Sequence, residues 1–301
     1  MAQTWPARTI TAIVPFAAGS GADVVARIAM EEVSRQLGQA IVIENRGGAG
    51  GTLGSNIVAK AAPDGYTILA TGALATADAI YPKKPYDTLR DFTPVIPLGQ
   101  QPLVLVTAPS KNLNSVGELI AAAKARPGAL NFASAGIGSA SHFAAERFRA
   151  GAGFDAQHIP FRGAAEALTD VLAGRSEFFF LPLAPALPLV TEGRLVALTV
   201  STASRASALP QVPSIAELGF AKAAYDFWVG LFLPAKAPRD VVDRWHRATE
   251  AALQMPAVQA RLAAVGVEPM PMTPDGFSAF FRAEVEMHIQ LVKLANIVAQ
   301  Q

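Results

Sequence analysis

The sequence predicts an α/β fold of two lobes, each a mostly parallel sheet with helices on both faces, joined by two crossing strands. Three observations carry that reading. Strand-like and helix-like patterns alternate along most of the 301 residues, the order that yields parallel sheets covered by helices. Two apolar strand-like runs, at 92–107 and 227–234, interrupt the alternation where a chain would leave one lobe and return to it. Small-residue loops rich in glycine separate strand from helix near the start of each lobe, a place where α/β sheets bind ligands. The division expected is a discontinuous first lobe, 1–101 and 228–301, an inserted second lobe, 102–227, and a ligand cleft between them.

In chain order, an apolar run at 10–16 reads as a strand that ends on the corner Pro15-Phe16. The loop Ala17-Ala18-Gly19-Ser20-Gly21 follows, and a helix is expected over 22–37. A strand at 40–45 leads into a second glycine loop at 46–51. A helix at 52–61, a turn at Pro63-Asp64-Gly65 and a strand at 67–70 complete this stretch. The run 92–107 carries Pro94, Pro97 and Pro102 and reads as the outward crossing. Alternation then restarts: helix 116–125, strand 130–135, helix 139–150, strand 157–161. Helix 164–173, strand 176–181, helix 184–192 and strand 195–200 follow. The run 227–234 is the return crossing. Two long helices close the chain. One spans 238–253, where Pro238 suits a first turn; the other spans 273–296, opened by a Thr273 cap before Pro274.

Composition excludes several classes. Hydrophobic residues make up 51% and charged residues 16%, enough apolar material for two cores and too much for a disordered chain. A net charge of +1 gives no broad field to recruit nucleic acid or anionic lipid, so neither is expected as a partner. The absence of cysteine excludes disulfides, thiolate metal sites and thiol nucleophiles. His142, His158, His246 and His288 show no ligand spacing such as HExxH, so no metal and no cofactor is expected. No run of about 18 apolar residues occurs, so no membrane insertion is expected. The chain opens Met-Ala-Gln-Thr-Trp-Pro, and no basic and apolar leader pattern precedes the first strand. That opening fits a cytosolic chain, or a mature exported chain whose signal peptide has been removed.

What can the loop at 17–21 hold? The stretch Gly19-Ser20-Gly21-Ala22-Asp23-Val24 has Val24 where a dinucleotide fingerprint needs its third glycine, and no GxxxxGK[ST] occurs. Glu44, at a strand end about 20 residues on, sits where a ribose-binding acid would. A Rossmann-like NAD(P)-dependent oxidoreductase therefore stands as the alternative function. The second lobe repeats the layout from Phe132 to His142, where Gly136-Ile137-Gly138 precedes Ser139. A third corner is Pro160-Phe161-Arg162-Gly163-Ala164. All three lie at the carboxyl ends of predicted parallel strands, and each presents unpaired N–H groups at a helix N-terminus. Such an end favours an anion by about 0.3–1 kcal/mol, up to about 2 when partly buried. Each charge-assisted hydrogen bond adds about 1.5–3 kcal/mol. Several together reach the roughly −8 kcal/mol of micromolar binding. Corners from separate lobes, facing across a cleft, would clasp a small anion, and small residues let its carboxylate approach the backbone. Taken singly, each corner is equally a tight turn with no ligand.

Several stretches resemble the Bug-type periplasmic solute receptors, the extracytoplasmic binding proteins of tripartite tricarboxylate transporters. They are VPFAAG at 14–19 with Asp23, IENRGGAGG at 43–51, APDGYT at 62–67 and SAGIGS at 134–139 with His142. FRGAAEALTDVLAG at 161–174, LPQVPSIAELG at 209–219 and LFLPAKAPRDVVDR at 231–244 complete the series. The resemblance runs from Trp5-Pro6 to the C-terminal helix, and order and spacing carry it more than any single stretch. It implies a periplasmic two-domain Venus-flytrap receptor of the type II fold. Such a receptor binds a small carboxylate, performs no chemistry and presents the closed form to the membrane subunits of a tripartite tricarboxylate-type transporter. A sensor protein is an alternative partner, and a monomer is expected. The resemblance also implies that two loops hold a ligand carboxylate, largely through backbone groups and ordered waters. Here these are Phe16, Ala17, Ala18, Gly19 and Ser20, and Ala135, Gly136, Ile137, Gly138 and Ser139.

Single side chains leave alternatives open. Asp23, at a helix start, reads as a ligand contact or as a brace for its loop, and His142, one turn into its helix, likewise. Arg162 is the cation at a predicted corner; it pairs a second carboxylate or lies in solvent. Trp228, at the return crossing, is a cleft wall or core. His158, His246 and His288 read as structural or surface residues. Ser139 and His142 have the spacing of a nucleophile and base but no GxSxG elbow, so no enzyme is expected. One departure from the family pattern concerns the ligand. Members often carry an acid at the end of the strand that reads GRSEFFF here, and this chain has Leu181 there, after Phe178-Phe179-Phe180. An acid would suit a ligand ammonium group. An apolar wall at Leu181 points instead to a mono- or dicarboxylate, aliphatic or aromatic, such as a phthalate-type diacid.

Overall fold

Apolar five-residue strands, rich in β-branched side chains, form the first sheet. β1 (Ile10–Val14), β2 (Ile41–Asn45) and β3 (Thr67–Thr71) pair in parallel in the order β2-β1-β3. The helices α1 (Gly21–Leu37) and α2 (Thr52–Ala59) make the crossovers that parallel strands require. The computed structural model describes residues 5–294. The reading of residues 1–4 and the final turn of the helix expected through 296 lie outside the described residues.

A seven-residue helix, α3 (Leu74–Ile80), precedes β4 (Phe92–Thr107), which spans the whole outward crossing. Residues 92–102 of β4 pair antiparallel with β9 (Asp226–Pro234), the return crossing. From Leu103 onward β4 pairs antiparallel with β7 (Phe178–Pro182) and β8 (Val196–Val200). β5 (Asn131–Ser134) and β6 (Gln157–Pro160) complete a second parallel sheet with β7. The path is β2-β1-β3-β9-β4-β7-β5-β6, with β8 on β4. Two lobes thus share two antiparallel strands. Proline cannot donate to a ladder, and β4 shifts register between Pro94 and Ile96 and again between Pro97 and Gly99.

The second lobe carries α4 (Val116–Ala125), α5 (Ala140–Ala152), α6 (Ala164–Leu172) and α7 (Leu183–Thr191). Its β7 is buried on both faces, as parallel strands between helix layers are. Phe178 and Phe180 pack with Phe143 and Phe148 of α5, while Phe179 and Leu181 face Ala167 and Val171 of α6. Each such side chain contributes about 1.5–3 kcal/mol of burial. The first lobe closes with α8 (Arg239–Gln254), α9 (Pro256–Ala264) and α10 (Pro274–Leu294). Trp245 of α8 is fully buried and donates its indole N–H to Gly65 O at 3.1 Å. Among the described residues no helix is long and apolar enough to cross a membrane.

Two helices were not expected from the sequence. α3 has no side-chain cap at Ala73 and spans two turns. α9 starts at Pro256, immediately after α8 ends; the proline both stops one helix and starts the next. The first strand ends at Val14 rather than 16, because the chain turns at Pro15.

Candidate ligand cleft

The corner after β1 is built by its own residues. Gly19 takes φ +78, a left-handed conformation that glycine adopts without strain. Ser20 is extended and caps α1, its Oγ accepting from Asp23 N at 3.3 Å. Asp23 Oδ2 accepts from Gly19 N (2.8 Å) and Arg27 Nε (2.9 Å), and Oδ1 accepts from Asn45 Nδ2 (2.9 Å). Burial alone would raise the Asp23 pKa. The hydrogen bonds from Arg27, Gly19 and Asn45 outweigh it and hold the carboxyl below its usual range.

After β5, Gly138 takes φ +80 and Ser139 caps α5, its Oγ accepting from His142 N at 3.3 Å. Gly138 N–H donates to His142 Nδ1 at 3.2 Å, which fixes the ring proton on Nε2, 3.9 Å from Glu146 Oε1. The His142 ring stacks on His158 at 4.1 Å, and His158 stacks on Phe132 at 4.8 Å with Ser134 Oγ 2.6 Å from its Nε2. Burial, with His158 alongside, pushes the His142 pKa down to about 3, and burial pushes His158 to about 4.

Caps and back-bonds engage Gly19, Ser20, Gly138 and Ser139. The N–H groups of Gly21 and Ala22 on α1, and of Ala140 and Ser141 on α5, have no acceptor among the described residues. All four residues line one cavity of about 40 Å³, walled also by Phe16, Ala164, Pro182 and Phe227. An inner cavity of about 20 Å³ shares Phe16, Ala140 and Phe227 and adds Thr76, Tyr225, Trp228 and His288. Among the described residues no charged side chain lines either one. A water needs about 10–15 Å³, so the two cavities have room for a few waters and not for an organic acid.

The lobes touch through α3 and the residue after it. Tyr81 OH donates to Ile137 O at 2.7 Å, and burial pushes its phenol up to about 12, so it stays a donor. Thr76 Oγ1 lies 2.7 Å from Gly138 O and 2.9 Å from Ala73 O, donating to one at a time. A Cβ on Gly21 would stand 2.8 Å from Pro182 Cβ in the opposite lobe.

Of the residues singled out from the sequence, Phe16, Ser20, Ala135 and Ser139 come together at the outer cavity. Ala17, Ala18 and Gly19 are exposed, and Ala17 Cβ is 3.4 Å from a Cβ built on Gly163. Gly136, Ile137, Gly138 and His142 frame the second corner. Arg162 is exposed, and its own N–H bonds Glu166. Leu181 is fully buried in the second-lobe core; the next residue, Pro182, lines the cavity. Trp228 is buried, donates to Glu284 Oε2 at 2.9 Å and walls the inner cavity. Sequence reasoning missed Thr76, Tyr81, Pro182, Tyr225 and Phe227, and set His288 aside. None carries a local signal, since each reaches the cleft from a distant segment.

The sequence model described as the tripartite tricarboxylate transporter family receptor matches residues 25–297. Protein BugT of Bordetella pertussis is 36% identical over 295 residues, 97% of this chain and 90% of BugT. The structure of Rpa4515 from R. palustris with adipate superposes with a TM-score of 0.94 at 32% identity, covering 98% of this chain and all of that one. MatC from Rhodopseudomonas palustris with bound malate gives 0.90 at 32% identity, over 96% of this chain and 100% of MatC.

Proposed function

The chain belongs to the tripartite tricarboxylate transporter receptor family, and from that premise we propose that it captures a small carboxylate between its lobes in the periplasm. It then offers the closed form to the membrane subunits of a tripartite tricarboxylate-type transporter. A member of this family is a solute receptor and not an enzyme, so the oxidoreductase alternative falls.

One observation carries the reading. α1 and α5, from separate lobes, bring four N–H groups to one cavity, where among the described residues they meet no acceptor and no charged side chain. Carboxylate oxygens accept from such groups, and two helix N-termini add their dipoles. The loops 16–20 and 135–139 wall the ligand and aim the N–H groups of Gly21, Ala22, Ala140 and Ser141 at its carboxylate, with Asp23 and His142 as braces and Arg162 at the rim. The lobes divide as 1–101 with 228–301, and 102–227; the change of β4 partners after Pro102 supports a hinge there. The adipate and malate named for the two R. palustris proteins are dicarboxylates. Here the aromatic walls Phe16 and Phe227, and the lack among the described residues of a carboxylate lining either cavity, favour an aliphatic or aromatic mono- or dicarboxylate over an amino acid.

Titration calorimetry against malate, adipate, phthalate, aspartate and glutamate tests this. Micromolar binding of at least one acid without an amino group, and much weaker binding of the two amino acids, is expected. Tight binding of aspartate or glutamate with no response to the others overturns it.

A further inference from the structure

α10 runs from one lobe to the other. Phe277, Phe281 and Val285 pack with Trp228 and Phe232 of the first lobe, while Leu291 and Val292 pack on the second-lobe core. His288 lies at that joint and is 1% exposed. Its ring meets Phe143 of α5 edge to face at 5.0 Å and Tyr225 at 5.8 Å. Nδ1 sits 2.7 Å from Glu284 O. A carbonyl only accepts, so Nδ1 carries the proton in the neutral ring and Nε2 is left with a lone pair. Nε2 is buried and has no partner among the described residues, which is uncommon for a polar atom in a packed interior. The ring lines the inner cavity, which shares Ala140 with the carboxylate corner.

We infer that His288 Nε2 accepts a hydrogen bond from a ligand hydroxyl, and that the ligand is an aromatic acid carrying that hydroxyl away from its carboxylate. This rests on the carboxylate reading above. The carboxylate takes the N–H groups of α1 and α5, and the ring lies among Phe16, Phe227, Tyr225 and Trp228. Aromatic walls suit a flat ring. Desolvation lowers the His288 pKa to about 4, so the imidazole is neutral at ordinary pH and its lone pair repels a second ionised carboxylate. A hydroxyl is the complementary group. A site with a buried acceptor discriminates against the analogue that lacks the donor, because the acceptor is then left unpaired.

Calorimetry on the whole chain with 3- and 4-hydroxybenzoate, benzoate, phthalate, malate and adipate tests the assignment. The better hydroxybenzoate is expected to bind about tenfold tighter than benzoate or phthalate. His288→Phe, which keeps the ring edges against Phe143 and Tyr225, should bring that ratio to near one. His288→Gln, whose amide oxygen also accepts, should keep part of the preference. Equal binding of benzoate and the hydroxybenzoates overturns the inference and leaves the carboxylate reading intact. Binding of malate or adipate with none of the aromatic acids does the same. Failure of every acid overturns both. If His288→Phe does not fold, the ratio in the unmutated chain decides.

Discussion

Asp23 and His142 occupy the same position in the two lobes: each is the third residue of a helix capped by serine, and each accepts the N–H of the left-handed glycine four residues earlier. A carboxylate and an imidazole, unrelated chemically, make the same back-bond. The shared requirement is an acceptor at that place, which locks the loop so that the next N–H groups point into the cleft. Ser20 and Ser139 complete the pair as caps with nearly equal backbone angles, φ −66 and −72 with ψ 160 in both.

Asp23→Ala removes an acceptor from three donors while its side chain is 2% exposed. A stability loss of about 2–3 kcal/mol is expected in denaturant melts, with ligand affinity falling at least in step. The folded pKa lies below the unfolded one, so this contribution is present above the unfolded value and is lost as pH falls through the folded one. Unchanged stability would refute the bracing role.

His142, His158 and His288 also lose stability on acidification, in a window at higher pH. Burial lowers them to about 3, 4 and 4, against about 6.5 unfolded. Between pH ~6.5 and ~4 the unfolded chain binds more protons, so stability falls on acidification, by up to about 1.4 kcal/mol per pH unit for each ring. Melting temperature followed from pH 7 to 4.5 should drop steeply, and His158→Phe should make the slope shallower. An identical slope in that variant contradicts the assignment.

Tyr81→Phe deletes the hydroxyl that crosses the cleft to Ile137 O. One neutral hydrogen bond is worth about 0.5–1.5 kcal/mol, so the closed form loses roughly two- to tenfold in population. Small-angle scattering of the variant should show a larger radius of gyration, and ligand affinity should fall by the same factor. Wild-type values for both would remove the latch.

Gly21 has no left-handed conformation to protect, and its Cβ would collide with Pro182 at 2.8 Å and Phe227 at 3.0 Å. Gly21→Ala therefore props the lobes apart with little harm to either one. A near-normal melting temperature together with lost ligand protection is expected. A ligand-induced shift as large as that of the parent chain would contradict it.

The crossing at 92–107 was legible to the residue because a long apolar run with three prolines has no other place in an alternating chain. The serine-capped corners were legible for a similar reason: glycine, cap and third helical residue lie within five positions of one another. α3 and α9 were not, one lacking a side-chain cap and the other following a break at Pro256. Leu181 shows the limit within a strand. Alternation puts neighbours on opposite faces, and which face meets the cleft depends on the layers packed around β7.

From residue order alone came the alternation of elements, the two crossings, the amide-rich corners and the kinship, since each depends on contacts within a few positions. Folding in three dimensions decided that both corners open on one cavity, that Tyr81 and Thr76 bond from one lobe to the other and that His288, whose Nε2 has no partner among the described residues, lines the inner cavity. Those pairings join segments as many as 272 positions apart, Phe16 and His288 being the extreme. Nothing local encodes a meeting at that range: it exists once burial of the two cores has set the lobes against each other.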